Sequence, residues 1–356
     1  MSETAFEDRV QSLRMIRDSA AAVMPADGGL GRVRALRFTL PGIDPAVWGS
    51  MGSMGWIGLR LPEEAGGIGL GMAEACALQE ELGRALVPEP LVPGALSARL
   101  LAAAGDTALL PSLLAGENLV LTAWQQSADS LEAPGDPEAP RLFIPMAAAA
   151  GTVLLPVREG NGLALYAVEG TRATILKTQD GGHVGSLAPS LAGARRVAAD
   201  VSAAMDLALD EAALGTAAYL LGLMERCFEM TLDYLRARQQ FGKALGSFQA
   251  LQHRAADLKI QIVLTRASVE GAAADLNAGA AGDARRALVS RAKARAAEAA
   301  LRVTREAVQL HGAIGYTDEY DIGLFLRKAM VTANAFGSAA LHRARYMRCA
   351  PGGQSV

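Results

Sequence analysis

The sequence predicts a mainly helical α+β protein. It reads as an N-terminal helical domain, a small antiparallel β domain and a C-terminal four-helix bundle. Three observations lead there. Apolar residues recur at spacings of three and four near the N-terminus, and again in longer stripes beyond Met205. Between them, short apolar or alternating runs separated by Gly, Pro, Asp or Glu begin after Gly116 and read as strands. The late stripes are rich in Ala, which lets helices approach closely. At 356 residues the chain exceeds what one compact core usually carries. Boundaries at 1–116, 117–203 and 204–356 follow.

Taken in order, Phe6, Val10, Leu13, Ile16 and Ala20 predict an amphipathic helix within residues 4–24. Residues 25–43 are interrupted by Gly and Pro and read as loop with a little extended structure. Pro45–Met54 is a short helix ended by Gly55. Pro62–Gly71 carries Gly66, Gly67, Gly69 and Gly71. No apolar strand leads into it, so it is a turn and not a dinucleotide-binding loop. Met72–Leu86 is a helix with its charges on one side, broken by Pro88, Pro90 and Pro93. Ala95–Ala104 and Thr107–Leu114 fit two more helices. Strands are expected at Asn118–Trp124, Leu142–Met146, Gly151–Val157, Leu163–Val168 and Ala173–Lys177, with Ala133–Ala139 as a loop.

The bundle is carried by three stripes. Leu214, Ala217, Leu221, Met224, Phe228, Thr231 and Leu235 form the first. Phe248, Leu251, Ala255, Leu258 and Ile262 form the second. Leu288, Ala292, Ala296, Ala299, Val303, Ala307 and Leu310 form the third, with Asp283 placed to cap its start and Gly312 to end it. A last helix is expected over Ile322–Arg348.

Composition excludes several classes. The net charge of −3 gives no reason to expect nucleic acid. Cys76, Cys227 and Cys349 have no paired spacing and read as thiols in a reducing compartment. His183, His253, His311 and His342 form no i, i+4 pair, so no metal site is expected. The N-terminus is acidic and polar, unlike a signal peptide. No uninterrupted apolar run reaches membrane-spanning length. A cytoplasmic protein is the expectation.

One stretch carries chemistry. Leu235–Leu258 closes one long helix, turns tightly and opens another. Arg236, Arg238 and Lys243 flank Phe241-Gly242, and Gln249 and Gln252 follow. Arginine forks match phosphate oxygens, and a helix start supplies free N–H groups beside an anion. From residue chemistry alone, the simpler account is a solvated helix–turn–helix with ordinary surface charges.

R-x-x-F-G with Gln eleven residues after the Arg resembles the central signature of the acyl-CoA dehydrogenase family. QLHGAIGY at Gln309–Tyr316 and WIGLRLPEEAGGIGLG at Trp56–Gly71 are similar to two further family stretches, in the family's order. The resemblance spans most of the chain and is weakest between residues 120 and 200. It implies FAD, an acyl-CoA substrate, and bundle helices that grip the phosphates of a neighbouring subunit's FAD. Carried over residue by residue, Arg238 would contact the pyrophosphate, Phe241 would pack on the cofactor and Gln249 would hydrogen-bond it. Gln309, Leu310, His311, Gly312 and Ala313 would contact the adenosine diphosphate, with Ala313 where the family has Gly. Ser338 would complete the set. His311 has an alternative as a helix-end histidine bonded to the last carbonyls.

Other family positions depart. Where the family has T-E-P-x-A-G-S-D, this chain has LTAWQQSAD at Leu121–Asp129, which keeps Ser127 and Asp129 of that motif. Phe143–Gly151 has no tryptophan where the family has W-[IV]-T-N. Trp124 has core packing as its first reading and flavin stacking as its second. The carboxylate that removes the proton next to the thioester falls, by family spacing, on Phe336. The alternative position, used by a minority of the family, falls on Ala212. Glu211 is adjacent, but one helical residue rotates a side chain by ~100°, so it is only a weak candidate base. Asp210 matches a common family acid, and Ala213 replaces an Arg that binds the CoA ester. The same loss occurs in heteromeric steroid side-chain members. There one subunit carries the Glu, and its homologue donates the R-x-x-F-G face to the partner's FAD. A Glu-less homologue with other flavin chemistry, desulfination or monooxygenation, is the alternative, and a non-catalytic structural subunit is another.

Overall fold

The computed structural model describes residues 3–24, 28–134, 136–170 and 173–350. The N-terminal part is helical: α1 (Glu3–Ala20), α2 (Gly31–Leu36), α3 (Pro45–Ser53), α4 (Met72–Arg84), α5 (Leu91–Ala103) and α6 (Leu110–Leu114). On α1, Ile16 and Ala20 are buried as the spacing requires, whereas Val10 is half exposed; Phe6 lies outside the described side chains. Within the stretch expected to be loop, residues 31–36 form α2, while residues 25–27 lie outside the described residues. Pro93 does not break α5. It sits in the first turn, where its missing N–H has no intrahelical partner to lose. The charges of α4 do not form a solvated side. Glu80 is buried and paired with Arg17 of α1 and with Arg266, while Arg84 bonds Glu229. Buried carboxylates are tolerated because these guanidinium groups surround them.

The middle region has strands β1 (Val120–Thr122), β2 (Arg141–Pro145), β3 (Thr152–Glu159), β4 (Gly162–Glu169), β5 (Thr174–Lys177), β6 (His183–Leu187) and β7 (Arg195–Ala198). They form two sheets, in the orders β1-β3-β4-β7 and β2-β6-β5. All pairings are antiparallel except β1 with β3, which is parallel. Strands β6 and β7 were not expected. Their Gly, Ser and Arg content lacks the β-branched alternation that marks a strand, and pairing to β5 and β4 decides them instead.

The C-terminal part starts with α7 (Ser202–Ala237), followed by a hairpin of β8 (Gln239–Gln240) and β9 (Lys243–Ala244). Then come α8 (Gln249–Asn277), α9 (Gly282–His311), α10 (Ile322–Thr332) and α11 (Ala339–Cys349). The first stripe is wholly buried, and in the third all but the half-buried Leu288 are buried. The second is shallower: Leu258 and Ile262 are buried, but Phe248, Leu251 and Ala255 are half exposed. Asp283 does not cap α9. The N-cap is Ala281, and Asp283 lies in the first turn, bonded to Arg286. Nor is the last helix continuous. It breaks at 333–338, between α10 and α11, where Phe336 and Gly337 take positive φ of 53° and 98°. An α-helix has no room for left-handed residues, so the chain must leave it there.

Helix α7 passes a length and hydropathy test for a membrane span, but 89% of that window is buried inside the protein. It is the central core helix. Two glycines set α4 against it. A Cβ on Gly83 would lie 2.0 Å from the Tyr219 carbonyl oxygen, and one on Gly222 1.8 Å from that of Glu80. The two backbones therefore touch directly, and any side chain at either position would force the helices apart.

Candidate functional site

The up–down order of the bundle brings the end of α7, the start of α8 and the end of α9 together. Tyr234 links them: its hydroxyl donates to the His311 carbonyl at 3.1 Å, and its ring stacks on the His311 imidazole at 4.4 Å. Arg238 closes α7. Phe241-Gly242 forms the two-residue tip of the β8–β9 hairpin, with φ of 54° and 78°. Two successive positive φ values are those of a type I′ turn, which suits a tight hairpin. Phe241 is 89% exposed, with only an edge contact to Phe248. Arg238, Gln249, Gln309, Gly312 and Ala313 are all exposed. Among the described residues, the Arg238 guanidinium makes no hydrogen bond or ion pair. His311 differs from this set. It is buried, its Nδ1 lies 2.7 Å from the Ala307 carbonyl, and burial lowers its pKa. The helix-end alternative thus describes its present contacts, though its Nε2 is buried without a partner. Leu310 is buried in the bundle.

A second locus lies at the break between α10 and α11. Phe336 stacks on Trp124 with ring centroids 6.3 Å apart and planes 13° from parallel. Trp124 is otherwise buried, in line with its packing role. Beneath the break, Lys293 of α9 is fully buried and donates to the carbonyls of Ala333 and Gly337, each at 2.8 Å. His342 of α11 meets the Phe336 carbonyl through Nε2 at 2.8 Å. A carbonyl only accepts, so Nε2 carries the proton and Nδ1 accepts from the Ser290 hydroxyl at 3.2 Å. Burial lowers the Lys293 pKa to about 7 and that of His342 to about 3. Ser338 caps α11 by accepting from the Leu341 N–H and donates to Asp129 at 2.8 Å, so its hydroxyl is engaged within the chain. Sequence reasoning missed Lys293 and Ser290. Their signal was a lysine and a serine at positions that continue the buried Val289, Ala296 and Ala300 face of α9.

The candidate bases are a third locus. Ala212 is buried and apolar. Glu211 Oε1 accepts from Arg60 Nη2 at 2.6 Å and from Arg99 Nη2 at 3.0 Å, and Oε2 accepts from Arg99 at 2.9 Å. Both oxygens thus accept from guanidinium groups and are occupied within the chain. Asp210 is wholly buried between Arg285 and Arg345, tying α7 to α9 and α11. Among the described residues, no group of three or more His, Cys, Asp or Glu could hold a metal ion.

Residues 11–117 match the acyl-CoA dehydrogenase N-terminal domain, and residues 201–350 match the acyl-CoA dehydrogenase C-terminal domain. Acyl-CoA dehydrogenase IpdE2 of Mycolicibacterium smegmatis is 32% identical over 325 residues, covering 91% of this chain and 94% of the relative. The chain belongs to the acyl-CoA dehydrogenase family. Its fold is also that of a variant of the Tcur3481-Tcur3483 steroid ACAD, with a TM-score of 0.84 at 28% identity, covering 95% of this chain and 97% of that one. The ChsE4-ChsE5 complex from Mycobacterium tuberculosis matches with a TM-score of 0.81 at 25% identity, covering 98% and 97%.

FAD is the cofactor of this oxidoreductase family. The two loci fit it differently. At the bundle end, an exposed and unpaired Arg238 beside the free N–H groups of α8 fits a diphosphate brought up from outside. At the break, the Phe336 and Trp124 rings stack on each other, and the Lys293 and His342 donors beneath them are engaged within the chain.

Proposed function

We propose that this acyl-CoA dehydrogenase family member is the base-lacking subunit of a mixed cytoplasmic assembly with a Glu-bearing homologue. The observation that carries the reading is the occupant of each base position. Phe336 and Ala212 have no proton acceptor, and the adjacent Glu211 is saturated by Arg60 and Arg99. A general base must have a free lone pair within reach of the proton it removes. The similarity to steroid-type assemblies named for two different chains supports a mixed partner.

In this assembly the proton next to the thioester leaves to the partner's carboxylate. The chemistry supplied by bound FAD would be that of an acceptor for the hydride on the adjacent carbon. This chain contributes its bundle end, where the exposed Arg238, Gln249, Gln309, Gly312 and Ala313 would face the diphosphate and adenosine of a flavin seated in the partner, with Leu310 and His311 buried behind them. Domain limits of 1–116, 117–203 and 204–356 belong to the same proposal.

The test is acyl-CoA-dependent flavin bleaching by the pure chain, by a Glu-bearing homologue, and by their mixture. Bleaching by the mixture that survives Glu211→Gln in this chain is the expected result. Bleaching by the pure chain that disappears in Glu211→Gln would overturn the proposal.

A further inference from the structure

We propose that the cavity beneath α1 is a second ligand site, which takes a compact, uncharged bicyclic hydrocarbon. The inference stands apart from the reading above. A cavity of about 270 Å³ lies between α1, α4, α7 and α8. Three of these helices each give it one face. Val10, Leu13 and Arg17 follow one another at three and four along α1, and Ala73, Ala77 and Glu80 do so along α4. Val269 and Ala273 lie one turn apart on α8. Met72, Ala75 and Leu78, on the other side of α4, line the space beside Glu211 instead. The helix itself thus separates the cavity from the candidate bases. Protein interiors hold few voids larger than a water molecule, so a space of this size is not an ordinary packing defect. It exists because Ala73, Ala77 and Ala273 each reach in with a single methyl group. The apolar stripe of α1 also fails to seal it: Ile16 and Ala20 are buried, but Val10 is 51% exposed and forms the mouth.

The lining sets the class of ligand. Its charged groups are already paired within the chain. Arg17 donates to Glu81 at 2.7 Å and to Glu80 at 3.0 Å, and Arg266 donates to the other Glu80 oxygen and to Glu270. Burial pushes the Cys76 thiol up, so it stays neutral. A charged ligand would have to break one of these pairs to find a partner. A water needs about two to four polar partners, which the apolar walls do not offer. An apolar cavity of ~150 Å³ holds one benzene ring, so this one has room for about two fused rings. A flexible chain of the same volume would lose rotamer freedom on entry, which favours a rigid ring system.

The experiment adds naphthalene to the full chain and reads the melting temperature and methyl NMR. A rise of roughly 2 °C is expected at about ten times the dissociation constant. Naphthalene protons are expected to give nuclear Overhauser effects to the Leu13, Leu221 and Val269 methyls, a readout that needs no variant. No rise, or Overhauser effects confined to other methyls, would overturn the proposal. 2-Naphthoate has the same rings and a negative charge, and is expected to bind at least about tenfold more weakly. Equal binding of the two would refute the assigned class. Ala77→Leu and Ala273→Leu fill the space from α4 and from α8. Each is expected to abolish the naphthalene shift without lowering the melting temperature of the free chain. A shift that persists in both would place the ligand elsewhere. None of these readings involves flavin, a base or a partner, so they stand or fall separately from the bleaching test.

Discussion

The end of the bundle at Arg238 and the break at Phe336 are opposites in how they treat polar groups. Around Arg238 the chain leaves a guanidinium and the Gln249 and Gln309 side chains at the surface without hydrogen bonds among the described residues, beside a Phe241 ring that is 89% exposed. Around Phe336 it buries a lysine, a serine and a histidine to satisfy the carbonyls of one short turn. A surface that keeps its donors free is suited to something that arrives from outside. A turn whose carbonyls are met by Lys293 and His342 is finished within the chain. The difference teaches that one bundle can leave donors free at one end while using them up to hold a broken helix elsewhere.

Substitutions should separate the two regions. Lys293→Met removes two buried hydrogen bonds and leaves two carbonyls unpaired, which costs ~1–3 kcal/mol each. A loss of about 3 kcal/mol in denaturant melts is expected, with flavin content of the mixed assembly unchanged. Unchanged stability would show that the break does not depend on the lysine. Arg238→Ala should do the reverse. Losing charge-assisted bonds to a diphosphate costs about 2 kcal/mol, or roughly 30-fold in flavin affinity, at unaltered melting temperature. Retained flavin would remove Arg238 from the site.

The pH dependence tests the closed region next. Lys293, with its folded pKa lowered to about 7, holds fewer protons folded than unfolded between about 7 and the usual lysine range. Stability should therefore rise with pH across that window, and this contribution is lost as pH falls toward 7. His342, lowered to about 3, adds the same sign between about 3 and the usual histidine range. A neutral Lys293 amine still has two N–H groups for its two carbonyls. Comparing pH–stability curves of the unaltered chain and Lys293→Met should show the upper slope vanish in the variant. The smallest effect is expected from Phe241→Ala. With an 89% exposed ring, it should change the stability of the isolated chain by no more than ~0.5 kcal/mol. It should weaken assembly, read as a shift in the concentration dependence of light scattering.

Much of this was legible in the sequence because periodicity is a local signal. The Leu214–Leu235 stripe names the buried face of α7 residue by residue. The reversal at Gly242 was legible too, as a tight turn between two helices, but the β8–β9 pairing around it was not. Three features escaped for physical reasons. The break at 333–338 interrupts a run with good helix formers on both sides, and the side chains that stabilise it come from α9, forty residues earlier. Strands β6 and β7 are specified by their partners. The capture of Glu211 needs Arg60 and Arg99 from two other segments, which no spacing rule could join to it.

The central claim is the proposal that this chain lends its Arg238 face, and no base, to a flavin shared with a Glu-bearing partner. Flavin stoichiometry of the purified mixed assembly tests it most directly, because the proposal gives each FAD one Arg238 face from this chain and one seat in the partner. The account predicts one FAD for every pair of unlike chains. One FAD for every chain would contradict it.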